Sequence, residues 1–148
     1  MIKLKDIEQA LRPQPSYKML INGQWTESSD HAKSQTFNPA TGELLADYPA
    51  GTAQDVNTAV AAAKKTFETW RHTSPVERQQ LLLKIADRLE AEKERFATLE
   101  SLDNGKPYNE AISIDLPAAI DHFRYFAGAI RAHSDQADVL DENTLSLV

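Results

Sequence analysis

Chemistry in a chain of 148 residues has to come from a few side-chain types, and the most versatile nucleophile is missing. The sequence contains no cysteine, which removes disulfides, Cys-based metal centres and every thiolate mechanism. The histidines are His31, His72, His122 and His133, and no two share metal-ligand spacing with a carboxylate between them. Gly23, Gly42, Gly51, Gly105 and Gly128 are too dispersed to build a phosphate-cradling loop, so neither a dinucleotide fingerprint nor a P-loop is encoded. Nothing selects a Ser-His-Asp triad. His122 and Arg124 flank Phe123 and read as helix surface beside a core aromatic. Residues 87–95 are charge-dense and read as a solvated helix face, with Arg88 and Glu92 attractive and Glu90 and Glu94 repulsive at i,i+4.

One short run stands apart, Leu102-Asp103-Asn104-Gly105-Lys106-Pro107. It places an aspartate at the end of a helix, where the dipole disfavours an anion. Asp103 there needs stabilisation from donors, from Lys106 or from a bound cation. The plainer reading is a C-capping turn in which Asp and Asn bond local backbone.

The elements that position these residues follow from pattern. A composition of 41% hydrophobic and 26% charged residues fits one soluble globular domain. The net charge of −6, with Lys and Arg scattered among Asp and Glu, argues against nucleic-acid binding. No stretch approaches the roughly 18 apolar residues of a membrane span, and the first residues lack a secretory signal core; the expected location is cytoplasmic. Residues 1–16 read as an extension broken by Pro13 and Pro15. Residues 17–50 carry two hairpin signals, Asn22-Gly23 and Asn38-Pro39-Ala40-Thr41-Gly42-Glu43. Residues 51–136 are helical. Thr52 caps a helix whose stripe is Val56, Ala59, Val60, Ala63, Phe67 and Trp70. Ser74-Pro75-Val76-Glu77 starts a second helix as a capping box, which runs to a stop at Asn104-Gly105 although Glu92 and Lys93 interrupt its apolar face. A third helical region spans about 108–133, split or kinked at Pro117. Residues 137–148 end in Thr144-Leu145-Ser146-Leu147-Val148, an alternating strand with no partner after it. The expected fold class is α+β, with two N-terminal β-hairpins, three to four helices and a terminal strand.

Several of these segments, in order, resemble the aldehyde dehydrogenase superfamily. They are Ile21-Asn22-Gly23-Gln24-Trp25, Phe37 to Glu43, Asp55 to Ala63 with Phe67 to Trp70, Glu77 to Leu89, Leu102 to Pro107, and Ala119 to Gly128. The resemblance begins near residue 17, covers only the amino-terminal part of that family, and implies a partial aldehyde dehydrogenase fold. The helix around 119–128 is most similar to bacterial enzymes acting on small aldehydes such as acetaldehyde.

The resemblance implies a parent enzyme that oxidises an aldehyde to a carboxylate with NAD or NADP. In that family a cysteine attacks the aldehyde, a glutamate acts as base, and an asparagine with a backbone amide stabilises the oxyanion. None of those positions lies in the matching part, so no catalytic and no cofactor-binding residue is assigned, and no cofactor is expected for this chain alone. Carried over residue by residue, the family's monovalent-cation site falls on Thr36, Phe37 and Asp103, incomplete here. One wall of the substrate entrance falls on Asp115 and Ala118, and residues 137–148 match the start of the oligomerisation strand. The chain is then expected to be a catalytically incomplete fragment that self-associates, with an aldehyde substrate only in the parent. The alternative is a stand-alone helical binding or assembly module derived from the same scaffold.

Overall fold

A computed structural model describes residues 16–132 and 137–147; the expected extension at 1–16 lies outside them except for Ser16. The chain is α+β, as the sequence predicts. Strands β1 (Met19–Ile21) and β2 (Gln24–Thr26) form an antiparallel hairpin in which Ile21 faces Gln24. Asn22 and Gly23 between them have φ of 52° and 73°, the paired positive angles that a tight two-residue turn requires. Strands β3 (Lys33–Phe37) and β4 (Leu44–Pro49) form the second hairpin, with a bulge between Thr36 and Phe37. Its turn closes through Gly42 N–H donating to the Asn38 carbonyl at 2.7 Å and Asn38 Oδ1 accepting from Ala40 N–H at 2.9 Å. The two hairpins meet where Tyr17 N–H donates to the Asp47 carbonyl at 2.9 Å.

Helix α1 (Ala53–Trp70) starts at a full capping box. Thr52 Oγ1 accepts from Asp55 N–H, and Asp55 Oδ2 accepts from Thr52 N–H at 2.8 Å. The same buried carboxylate accepts from Ser29 N–H at 3.1 Å, which ties the loop after β2 to the helix start. These donors, Thr52 N–H first, hold the Asp55 carboxyl below its ordinary value against the opposing effect of burial. The α1 stripe is only partly covered among the described residues: Ala59 is half-buried on the helix that touches β1, and the Arg78 guanidinium lies 6.0 Å from the Trp70 ring centroid, while Val56, Val60, Phe67 and Trp70 are all exposed.

The helix expected from Ser74 to Asn104 is two helices, α2 (Pro75–Ala91) and α3 (Lys93–Asn104). Glu92 breaks them, at φ −109° and ψ 18°. Its carboxylate is held on both sides, by an ion pair with Arg88 and by Arg95 Nη1 at 2.9 Å, so the charges that interrupt the apolar face also stabilise the corner. Helix α3 ends at Gly105 in the left-handed region, φ 80°. A short turn α4 (Tyr108–Glu110) leads into a π-turn over Ala111–Asp115 and then α5 (Leu116–Ala132). The helical region is thus divided just before Pro117, the second residue of α5, in keeping with the expected split or kink there. Pro117 follows a widened turn in which Leu116 N–H donates to the Ala111 carbonyl, and that widening accommodates a ring that a regular turn would force against a carbonyl.

The core is small. Ala97, Ala111 and Leu116 form one buried cluster with Ile112 against it. Helices α2 and α5 make the most extensive helix pairing, burying Ala86, Ile120 and Ala127. Arg124 on α5 forms ion pairs with Asp87 and Glu90 on α2, so the charged face does not simply point at water. The last strand is corrected as well. β6 (Thr144–Leu147) is partnered by β5 (Ala137–Asp141), with Val139 opposite Leu145; the partner precedes it, and the one-strand reading of 137–148 overlooked the turn between them.

Two outcomes follow. Gly105→Ala should destabilise the fold by about 1–3 kcal/mol in urea titration, because the positive φ is strained for alanine and a Cβ there would sit 2.9 Å from Pro39 Cγ. The depressed Asp55 carboxyl contributes stability above its unfolded value, and that stability is lost as pH falls through the folded value. Helicity followed by circular dichroism should therefore fall on acidification, and Asp55→Asn should be less stable at neutral pH with a shallower acid transition.

Candidate functional site

The bulge in β3 turns Thr36 toward the end of α3, where Thr36 Oγ1 donates to Asp103 Oδ1 at 2.6 Å. This contact joins residues 67 apart in sequence. Phe37 lies next to Thr36 in the same strand, so the three residues expected at a cation site share one corner of the fold. The corner opens on a cavity of about 360 Å³ lined by Tyr17, Leu45, Ala46, Phe96, Leu99 and Glu100 as well as by Thr36 and Asp103. The Asp103 and Thr36 oxygens are hard donors suited to a small monovalent cation, and they supply one carboxylate and one hydroxyl. Among the described residues no cluster of three or more acidic or His side chains could hold a metal.

The stabilisation of Asp103 comes from a donor and not from Lys106. Lys106 reaches the other way, to Asp115 on the π-turn, and that bond, more than any other influence, raises the Lys106 ammonium above its ordinary value. Local backbone capping falls to Asn104, whose Oδ1 accepts from Lys106 N–H at 2.7 Å. Half of the capping-turn reading thus holds, for the asparagine and not for the aspartate. Asp115 and the exposed Ala118 stand on the π-turn and the first turn of α5, three residues apart and so near one face. They do not join the Thr36–Asp103 corner directly, but the segment Asp103 to Asp115 connects the two.

Sequence reading missed the Lys106–Asp115 pair, the Ser29–Asp55 tie and the Arg124 bridges. Their charges were visible, but nothing in the local pattern signals a bond spanning 26 to 37 residues, as in Ser29–Asp55 and Arg124–Asp87, or one of 9 residues that crosses a helix end and a π-turn, as in Lys106–Asp115.

An α+β scaffold of this order is the class of structure found at the front of aldehyde-oxidising dehydrogenases, and the comparisons agree. Residues 25–148 match the aldehyde dehydrogenase family. The chain is 42% identical over 130 residues to the long-chain-aldehyde dehydrogenase of Acinetobacter sp, covering 88% of this chain and 26% of that protein. It is 40% identical over 136 residues to aldehyde dehydrogenase B of Escherichia coli (strain K12), covering 92% of this chain and 27% of that protein. The NAD+ complex of aldehyde dehydrogenase from Bacillus cereus superposes with a TM-score of 0.86 at 34% identity, over 98% of this chain and 29% of that one. The chain belongs to the aldehyde dehydrogenase family and corresponds to the amino-terminal portion of its fold. It spans about a quarter of the length of the curated relatives it matches.

The Thr36–Asp103 contact is testable alone. Thr36→Val and Asp103→Ala, separately and together, should yield a coupling energy of about 1 kcal/mol by urea denaturation, below the roughly 1.5–3 kcal/mol of a bond to a charged group because this pair is exposed. Additive effects would mean that the bond does not hold the hairpin to α3.

Proposed function

We propose that this chain is the amino-terminal scaffold of an NAD- or NADP-dependent aldehyde dehydrogenase and does not oxidise aldehydes by itself. The observation that carries this reading is the surface it leaves open: the helical stripe of α1 and the aromatic side of α5, including Tyr125 and Phe126, are exposed, as expected of faces made to be covered by the rest of a larger fold. In the parent, the oxidation passes hydride from a thiol adduct of the aldehyde to nicotinamide. This chain has no thiol and no glycine-rich turn to fit a dinucleotide, so no step is assigned to its residues and none to a cofactor bound here.

What the chain does supply is position. Thr36, Phe37 and Asp103 contribute part of a monovalent-cation site that steadies the junction of hairpin and helix, with a further ligand from outside the chain. Asp115 and Ala118 contribute one wall of the substrate entrance, and the Lys106–Asp115 pair fixes that wall to the end of α3. Of the described residues, those from 17 to 50 form the hairpin region, those from 51 to 132 the helical region, and those from 137 to 147 open the strand through which subunits associate. Alone, the exposed faces favour self-association. A cytoplasmic location suits such an enzyme, and no helix among the described residues is long and apolar enough to cross a membrane. A stand-alone module would have to bury the α1 stripe within itself, and among the described residues Val56, Val60, Phe67 and Trp70 remain exposed.

The test is direct. Purified 148-residue chain, given acetaldehyde with NAD+ or NADP+, should produce no reduced nicotinamide above the no-protein control. Saturable turnover would overturn the reading.

A further inference from the structure

We propose that Asn22 is a self-modification site: in the folded chain its side chain closes on the Gly23 nitrogen, loses ammonia and reopens as aspartate or isoaspartate. The same dipeptide at Asn104-Gly105 is held unreactive by its hydrogen bonds.

The chain contains two Asn-Gly pairs, Asn22-Gly23 and Asn104-Gly105. Asparagine is a thermolabile residue, and a following glycine, which has no Cβ, leaves its own nitrogen unobstructed for attack on the preceding side-chain amide. Gly23 N gives its proton to hydroxide from solvent and bonds to Asn22 Cγ. The Cγ–Nδ2 bond breaks, and that nitrogen leaves as ammonia with a proton from water, which closes a cyclic imide. Water then opens the ring on either side of the nitrogen. Cleavage at Cγ gives aspartate. Cleavage at the Asn22 carbonyl carbon gives isoaspartate, with the main chain routed through Cβ and Cγ. Either opening leaves a new carboxylate.

The fold separates the two pairs. Asn22 and Gly23 are both exposed at the tip of the first hairpin. Their φ angles of 52° and 73°, with Ile21 facing Gln24, are those of a type I′ turn. Ring closure requires the peptide between Asn22 and Gly23 to turn over, so that its nitrogen comes to the side-chain side. That flip converts type I′ into type II′, which keeps the positive φ at the first position and also connects paired strands. The hairpin therefore need not open. A Cβ at Gly23 would meet nothing within 4 Å. Among the described residues neither the Asn22 side chain nor the Gly23 N–H has a hydrogen-bond partner.

Asn104 is held at every reacting atom. Its Nδ2 donates to Glu100 Oε1 at 2.6 Å, its Oδ1 accepts from Lys106 N–H at 2.7 Å, and Gly105 N–H donates to the Ser101 carbonyl at 3.1 Å. These bonds must break before Gly105 N can reach Cγ. The product at Asn22 also has a structural consequence. Leu20, Ile21 and Asn22 line a small cavity with Ala59, Ala62 and Ala63 of α1, so isoaspartate would lengthen the main chain and place a carboxylate beside that helix.

The test follows both sites in one sample. The full chain, folded by circular dichroism, is held in mildly alkaline buffer and mapped over time by peptide mass spectrometry, with fragmentation that separates aspartate from isoaspartate. A parallel sample is held in concentrated urea. In the folded chain Asn22 should convert at least about tenfold faster than Asn104, the ratio expected from the bonds that hold Asn104. In urea the two rates should become similar. Equal rates in the folded chain would overturn the proposal. So would an Asn22 that reacts in urea but not when folded, since the hairpin would then be protective. A difference that persists unchanged in urea would overturn it too, because sequence neighbours and not the fold would set the rates.

Discussion

How closely the helices approach is set by alanine. Ala86, Ala97, Ala111 and Ala127 are all completely buried, and among the described residues the only larger buried side chains in the hydrophobic core are Leu116 and Ile120. A small side chain lets two backbones come near, but it removes little apolar surface from water: about 0.8 kcal/mol per buried methylene-sized group, against roughly 1.5–3 kcal/mol for a Leu or Phe. Many of the large apolar residues, among them Val56, Val60, Phe67, Trp70, Tyr125 and Phe126, are exposed, while others such as Ile85, Leu89 and Phe123 are half-buried. The described residues therefore make a frame with much of its larger apolar surface facing outward, and everything else in the structure answers to that division.

Where apolar burial is thin, polar ties fix the geometry. Asp55 closes the start of α1 and holds Ser29 with the same carboxylate. Thr36 and Asp103 clip the second hairpin to α3. Arg124 spans α5 to α2 through Asp87 and Glu90. Each joins elements far apart in sequence, and each is directional where alanine contacts are not. The exposed ion pairs add little stability individually. Their effect is on register: α5 cannot rotate against α2 without separating Arg124 from both acids.

Legibility in the sequence followed the range of the interaction. The Asn22-Gly23 turn, the Thr52 cap, the Ser74 capping box and the Gly105 stop were all readable, because each is decided within about four residues by backbone angles and local donors. Glu92 was readable as an irregularity but not as a corner, because the deciding pair of arginines flanks it on successive turns and competes with an otherwise continuous helix pattern. Pro117 signalled a split or a kink, and the chain divides just before it through a π-turn whose Ala111, with Leu116, packs against Ala97. The β5–β6 pairing went unread since the segment before Thr144 lacks a strong turn dipeptide. The α1 stripe was read correctly as amphipathic, yet periodicity cannot say whether the partner lies within the same chain. Of the proposed site, Thr36, Phe37 and Asp103 came from family resemblance, and the structure adds the bond that brings the first and last together.

The run from Asp103 to Asp115 shows why a short polar motif can outweigh a longer apolar one in this scaffold. Asp103 receives the hairpin through Thr36. Asn104 caps the backbone of Lys106. Gly105 takes the one conformation that reverses the chain and has no Cβ to collide with Pro39. Lys106 then reaches forward to Asp115 on the π-turn. Four consecutive residues thus connect the hairpin, the end of α3 and the entry to α5. No one of these side chains can be exchanged for an apolar equivalent of similar size, because each contributes a donor, an acceptor or a backbone angle that hydrocarbon lacks. The Thr36 corner and Asp115 are thus joined by a path of hydrogen bonds and one left-handed residue.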